Sequence, residues 1–325
     1  PGMFLVVALQ IALGSIILIY LDEVVSKYGI GSGIGLFIAG GVAGAFFWQV
    51  FAPPINLANH PELAQGGLLA SFLYSVTAGN PRFLILLPIL IAVLLFLIIV
   101  FMEGVHVNIP LSIGRKGFGG RFPVKLLYVS NLPVIFASVL FVNVKMFASA
   151  LERITSSSFV SGFFKMIETA VTPPYNLFYT LIEKLGAEGL NALPYLMPQL
   201  IHATVFMILL IITCVIFGVF WVQFAGQGPE AIAEQLQSSG MYIPGFRRDK
   251  RIIQKVLEKY IPSITVLGSI LVALLAGFGD MTLGTLATGT GILLTVGIVY
   301  RMYEELARAQ LMEMHPLLSK LLGGK

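Results

Sequence analysis

Charge is scarce in this sequence. Asp, Glu, Lys and Arg make up 11% of its 325 residues, against about 25% in an ordinary globular domain. A soluble protein of this size cannot cover its surface with so few charges, and a disordered chain has the opposite composition. Cysteine is nearly absent: Cys214 stands alone, which excludes a disulfide framework and any Cys-based zinc or iron–sulfur site. No N-x-S/T sequon, HExxH or GxSxG string occurs, and no apolar run holds paired carboxylates. Glycosylation and the familiar hydrolytic chemistries therefore have no carriers, and no cofactor or metal is expected. What is abundant is apolar surface: 57% of residues are hydrophobic and the mean hydropathy is +0.90. The chain reads as an all-α, polytopic transmembrane bundle.

Spans follow from the gaps between ionisable residues, since a bilayer core of about 30 Å needs about 20 apolar residues in a helix. Seven are predicted: Met3–Leu21, Ile34–Phe51, Phe83–Met102, Leu126–Ala148, Leu200–Phe224, Ile261–Phe278 and Gly289–Tyr303. Barrel strands are shorter and alternate in polarity, so helices are required. Leu63–Pro81 is too rich in Gly, Ser, Thr and Asn for a span and reads as a short surface or re-entrant segment. Pro1 enters a span almost at once, from which the chain is expected to be the later part of a longer protein.

With seven spans the connections alternate between two sides. Lys and Arg divide 15 to 5 between them, while the acids divide 10 to 6. The cation-rich side is predicted to be cytoplasmic, with the C-terminus on it. Two of its connections are basic: Gly114–Lys125, and Gln223–Tyr260 with a short helix at Pro229–Gln237 and a charged helix at about Asp249–Lys259. Six cations between Arg247 and Lys259 exceed what membrane anchoring requires, so a polyanionic cytoplasmic partner is an alternative to simple anchoring. The opposite side holds Lys145–Pro198, read as short amphipathic helices on the external face.

The central turns of the spans hold no Asp, Glu, Lys or Arg, which disfavours ion-coupled transport. His202 reads as a satisfied interfacial histidine, and Asp22–Glu23, at a span end, as a cap or a helix-terminus salt bridge. The alternating glycines at Gly29–Gly35 match no phosphate loop. Close packing through Gly31/Gly35 and Gly40/Gly44 fits them better. Asn131, Ser138 and Asn143 are expected to form one polar face of the fourth span, bent at Pro133.

Four strings carry a resemblance: SKYGIGSGIGLFIAGGV (Ser26–Val42), YVSNLPVIFASVLFVN (Tyr128–Asn143), IPGFRR (Ile243–Arg248) and TGILLTVGIVYRMYEEL (Thr290–Leu306). In sequence, order and loop length they resemble the SecY family of protein-translocation channel subunits, with the archaeal branch the closest likeness. The resemblance implies that the seven spans are the fourth to tenth of ten. Residues 1–51 would close the N-terminal half, 52–82 form an external loop, and 83–306 form the C-terminal half. Within that half would lie cytoplasmic loops at 103–125 and 222–260 and an external segment at 149–198. Residues 307–325 would be a cytoplasmic tail.

It further implies a pore ring containing Ile34, Ile38, Ile135 and Leu294, and a lateral gate to lipid containing Ser138 and Asn143. Loop residues Arg115, Lys116, Arg121, Arg247, Arg248, Lys250 and Arg251 would dock the ribosome through ribosomal RNA. The implied partners are SecE-type and SecG- or beta-type subunits, the nascent polypeptide with its signal sequence, the lipid bilayer, and the first three spans of the same protein. The implied activity is a polypeptide-conducting channel in the plasma membrane for secretion and membrane-protein insertion, with no enzymatic step. A small-molecule secondary transporter built from inverted repeats is the alternative.

Overall fold

Backbone amides in a bilayer have no water to bond, so each apolar run closes its hydrogen bonds within itself. The computed structural model describes residues 2–29, 31–53, 66–113, 119–127, 131–154, 158–238, 241–242, 250–284 and 286–314. The chain opens with α1 (Gly2–Tyr28), α2 (Gly33–Phe51) and the short α3 (Leu68–Thr77), the last standing where a non-spanning segment is predicted. A 3-10 turn at Phe83–Leu86 leads into α4 (Leu87–Gly104), whose second position is proline, where no backbone N–H is missed. Strands β1 (His106–Ile113) and β2 (Gly119–Lys125) follow, then α5 (Leu132–Ile154), α6 (Ser158–Ala170) and α7 (Leu177–Glu188). The chain continues through α8 (Leu193–Phe224), α9 (Pro229–Ser238), the two-residue β3 (Met241–Tyr242), α10 (Lys250–Thr282) and α11 (Gly289–Met314).

Among the described residues, six helices are long and apolar enough to cross a membrane. The seventh predicted span, α11, has the length but carries Arg301, Glu304 and Glu305 in its second half. It tolerates them because its apolar half is enclosed by protein: Leu293, Val296 and Ile292 are buried, with α2, α4 and α10 against them. Helices also outrun their predicted spans. The charged helix and the sixth span are one helix, α10, which continues through Pro262. Likewise α8 begins seven residues before its predicted span and contains Pro198.

Two apolar cores hold the fold. The larger gathers Leu95, Ile99, Val134, Phe206, Cys214, Val272 and Leu293 from α4, α5, α8, α10 and α11. The smaller joins Val124 of β2, Val222 of α8, Ala233 and Leu236 of α9, and Ile253, Leu257 and Ile261 of α10. Between spans such cores are held by close van der Waals packing, since lipid is as apolar as these side chains. By contrast α1 touches α2 and leaves its apolar surface exposed along its length, as lipid- or protein-facing spans do.

Candidate functional site

The first turn of α2 is set by an aspartate on the preceding helix. The Asp22 carboxylate accepts hydrogen bonds from the Ile34 N–H at 2.9 Å and the Ser32 hydroxyl at 3.1 Å, while Ser32 caps Gly35 N–H at 3.3 Å. Such a cap stabilises a helix start by about 1 kcal/mol. The chain reaches it through Gly31 at φ +81°, and Gly33 passes so close that a Cβ there would lie 2.8 Å from Asp22 Cα. Ile34 and Ile38 follow, one turn apart and 45% and 40% exposed. Beside them, α2 runs antiparallel to α11. Gly31 faces Met302, Gly35 faces Ile298 and Val42 faces Gly291. Leu294 lies one turn from Ile298 on the same face of α11. That spacing sets it at the level of α2 just past Gly35, where Ile38 stands. Of the predicted glycine pairs, Gly31 and Gly35 do pack closely, whereas Gly40 and Gly44 meet open space.

The second approach joins α5 to α11. Asn131, buried at the start of α5, donates from Nδ2 to the Leu293 carbonyl at 2.9 Å. It reaches that backbone because residue 297 is glycine; a Cβ there would stand 2.3 Å from Asn131 Nδ2. Ile135 is one turn further along α5, its N–H bonded to the Asn131 carbonyl at 3.3 Å. Further along α5 opens a cavity of about 310 Å³, lined by Ser138 and Lys145 of α5, Thr290 of α11, Thr288, Asp280 and Tyr175. Ile135 and Leu294 are both half-buried. The Tyr175 hydroxyl is pushed above the ordinary tyrosine range, by burial first and by the Asp280 carboxylate second.

The single polar face predicted for α5 is divided. Twelve residues are three and a third helical turns, so Asn143 stands about 120° around from Asn131. Asn131 is buried and Ser138 lines the cavity, while Asn143 is exposed and donates to its own helix at the Val139 carbonyl, 2.7 Å away. His202 is a satisfied histidine, its Nε2 lying 2.6 Å from the Thr169 carbonyl and 2.9 Å from that of Thr172.

On the predicted cytoplasmic side, the first basic connection is a hairpin, not an irregular loop. β1 pairs antiparallel with β2 from His106↔Lys125 to Ser112↔Gly119. β3, from the second basic connection, adds to the far end of β1 through Ser112↔Tyr242 and Ile113↔Met241. The two basic connections are therefore tied into one three-stranded sheet, in the order β2–β1–β3. Arg115, Lys116, Arg247 and Arg248 lie outside the described residues, and Arg121 lies within β2. Arg251 is exposed, while Lys250 pairs with Glu230 at 3.5 Å and Glu234 at 3.4 Å.

Two carboxylates were not singled out from sequence. Asp280, at the end of α10, holds the start of α11, with Thr290 N–H at 3.4 Å and the Thr290 hydroxyl at 3.3 Å. Its signal was present: an acid ten residues before a Thr-Gly-Thr helix start. Glu103 is buried at the end of α4 among partners far away in sequence, and no local pattern marks it.

A SecY family model matches residues 2–303. A protein translocase subunit SecY from Methanocaldococcus jannaschii is 43% identical over 324 residues, which cover 99% of this chain and 69% of that protein. A solved structure of a protein-conducting channel superposes with a TM-score of 0.72 at 41% identity, covering 96% of this chain and 67% of the other. Sec61 in the canine ribosome–channel complex from the endoplasmic reticulum gives a TM-score of 0.68 at 41% identity, over 96% and 66%.

Proposed function

The chain belongs to the SecY family, and from that premise we propose how its residues divide the work of a polypeptide-conducting channel. It is a multi-pass membrane protein, a translocase subunit for secretion and membrane-protein insertion, and not an enzyme. Membership decides against the small-molecule transporter, as does the lack of charge midway along the spans.

Ile34, Ile38, Ile135 and Leu294 form the chain's share of an aliphatic constriction. The observation that carries this reading is the approach to α11 of α2, through Gly35–Ile298, and of Asn131 at the entrance to α5, through its bond to Leu293. Apolar side chains at such a narrowing seal it by excluding water, yet yield around a passing peptide. Ser138 and Asn143 lie on the gate helix α5, whose flank exposes Val139, Val142, Asn143, Met146 and Phe147. An opening there sorts segments by partitioning: Leu, Ile, Phe or Val favour lipid by about 0.3–0.6 kcal/mol each, and a central charge opposes it by about 2.5 kcal/mol or more. The division at residues 51 and 83, the cytoplasmic C-terminus, the SecE-type and SecG- or beta-type partners, and the complementary N-terminal spans belong to this proposal.

The ribosome is the cytoplasmic partner, docked by Arg115, Lys116, Arg121, Arg247, Arg248, Lys250 and Arg251. The shared sheet supports this by joining both basic connections into one unit. Lys250 contributes least, because Glu230 and Glu234 already share its charge. Reversing charge at Arg115 and Arg247 together is expected to weaken ribosome binding by roughly tenfold or more at moderate salt, with a shallower salt dependence. Reversal at Lys145, on the other face, is expected to change it little. Equal losses in co-sedimentation at fixed ionic strength contradict the assignment.

A further inference from the structure

A cluster of polar groups lies where the basic hairpin runs into α5. Lys125, the last residue of β2, places its Nζ 2.7 Å from both carboxylate oxygens of Glu304 and 5.1 Å from the centre of the Tyr300 ring. Six residues on, Asn131 reaches the Leu293 carbonyl. Leu293, Gly297, Tyr300 and Glu304 follow three- and four-residue steps, so a single stripe of α11 receives both ends of the Lys125–Asn131 connection. Glu103 is buried beside it: a Cβ on Gly297 would lie 3.2 Å from Glu103 Oε1, and Lys125, Arg301 and Glu304 all lie within electrostatic reach of Glu103. The Asn131 Oδ1 atom is buried without a hydrogen-bond partner among the described residues.

An apolar contact would serve for adhesion as well, and burying Glu103 and Asn131 is costly without a role in specificity. What the polar set adds is register. Asn131, at the entrance to α5, bonds to the Leu293 carbonyl, and Lys125, at the end of the hairpin, to the Glu304 carboxylate, so the two contacts together fix where the Lys125–Asn131 connection sits along α11. Ile135 is one turn from Asn131, and Leu294 is next to Leu293. We propose that Glu103, Lys125, Asn131 and Glu304 are positioning residues that lock α5 to α11 and so hold Ile135 against Leu294, with the hairpin as the lever that releases them.

The inference rests on the pore-ring reading, and the two fail separately. The test uses the whole channel complex reconstituted in vesicles, with ion leak, ribosome affinity and unfolding temperature measured on each variant. The Lys125–Glu304 pair is partly solvated, with side chains 38% and 29% exposed. Glu304→Gln is therefore expected to raise leak only about threefold, and Lys125→Glu, which sets three acids together, about tenfold. The exchange Lys125→Glu with Glu304→Lys is expected to return leak to within about threefold of the parent. Ribosome affinity is expected to stay unchanged throughout. Unchanged leak in Glu304→Gln at equal assembly overturns the proposal, even if unfolding temperature falls, because the pair is then structural only. Leak that rises in Lys125→Glu but is not restored by the exchange also overturns it. Failure of the ring reading shows differently, as an Ile135→Ser and Leu294→Ser channel that stays tight.

Discussion

Replacing Gly289 by alanine is expected to disrupt the α10–α11 hairpin and sharply lower the yield of assembled channel. The turn between these helices brings backbone against backbone. A Cβ on Gly289 would stand 2.3 Å from the Ala276 carbonyl oxygen and 2.6 Å from Gly279 Cα, and one on Gly279 would stand 2.4 Å from Gly289 Cα. No flexible side chain is there to give way, so the helices must part. Overpacking of this kind costs about 1–3 kcal/mol, and here the bonds from Asp280 to Thr290 are strained with it. Gly40→Ala is the matched control. It meets open space, and in a helix interior alanine is favoured over glycine by about 1 kcal/mol. Thermal unfolding in detergent is expected to fall by several degrees for Gly289→Ala and to hold or rise for Gly40→Ala. Equal midpoints contradict the close approach.

The second large effect is on the closed state of the pore. Exchanging Ile135 and Leu294 together for serine removes apolar area from a constriction that seals by repelling water. Ion leak through the empty channel is expected to rise by about tenfold or more, with assembly intact. The control is the same chemical change on a lipid-facing surface. Leu90 of α4 is 66% exposed, and Leu90→Ser is expected to leave leak at the parent level. Equal leak from the two variants in a vesicle flux assay contradicts the ring.

Much of this architecture is legible in the sequence, because lipid imposes a simple grammar. Length and the absence of charge mark the spans, while Asp22–Glu23 at a span end reads as a cap or a salt bridge, and the structure has Asp22 capping the next helix and Glu23 paired with Lys27. The short α3 is legible for the same reason, since Ser, Thr and Gly interrupt its run. Less visible are features in which protein replaces lipid or water as the surroundings. The seventh span, α11, carries Arg301, Glu304 and Glu305 because neighbouring helices enclose its apolar half. The β1–β2–β3 sheet escaped because Gly114–Lys125, with its glycines and a proline, lacks the alternation of a strand. Its third strand comes from more than a hundred residues away, which no local pattern can announce. Asn143 was grouped with Asn131 by approximate spacing, and the accumulated 100° per residue turns it to another face.

The candidate ring divides the same way. That Ile34 and Ile38 share a face follows from their four-residue step. The approaches on which the proposed ring rests depend on Gly297, which lets Asn131 in, and on Gly35, which lets Ile298 in. Both are contacts between distant segments. Glycine strings in the sequence hinted at close packing without naming the partner.

The central claim is that these four aliphatic residues touch a polypeptide in transit. The most direct measurement stalls a secretory chain in the channel complex and cross-links it to single cysteines placed at Ile34, Ile135 or Leu294, with Leu90→Cys as the lipid-facing control. The account predicts cross-links at the three ring positions and none at Leu90. Cross-links at Leu90 with none at the ring would contradict it.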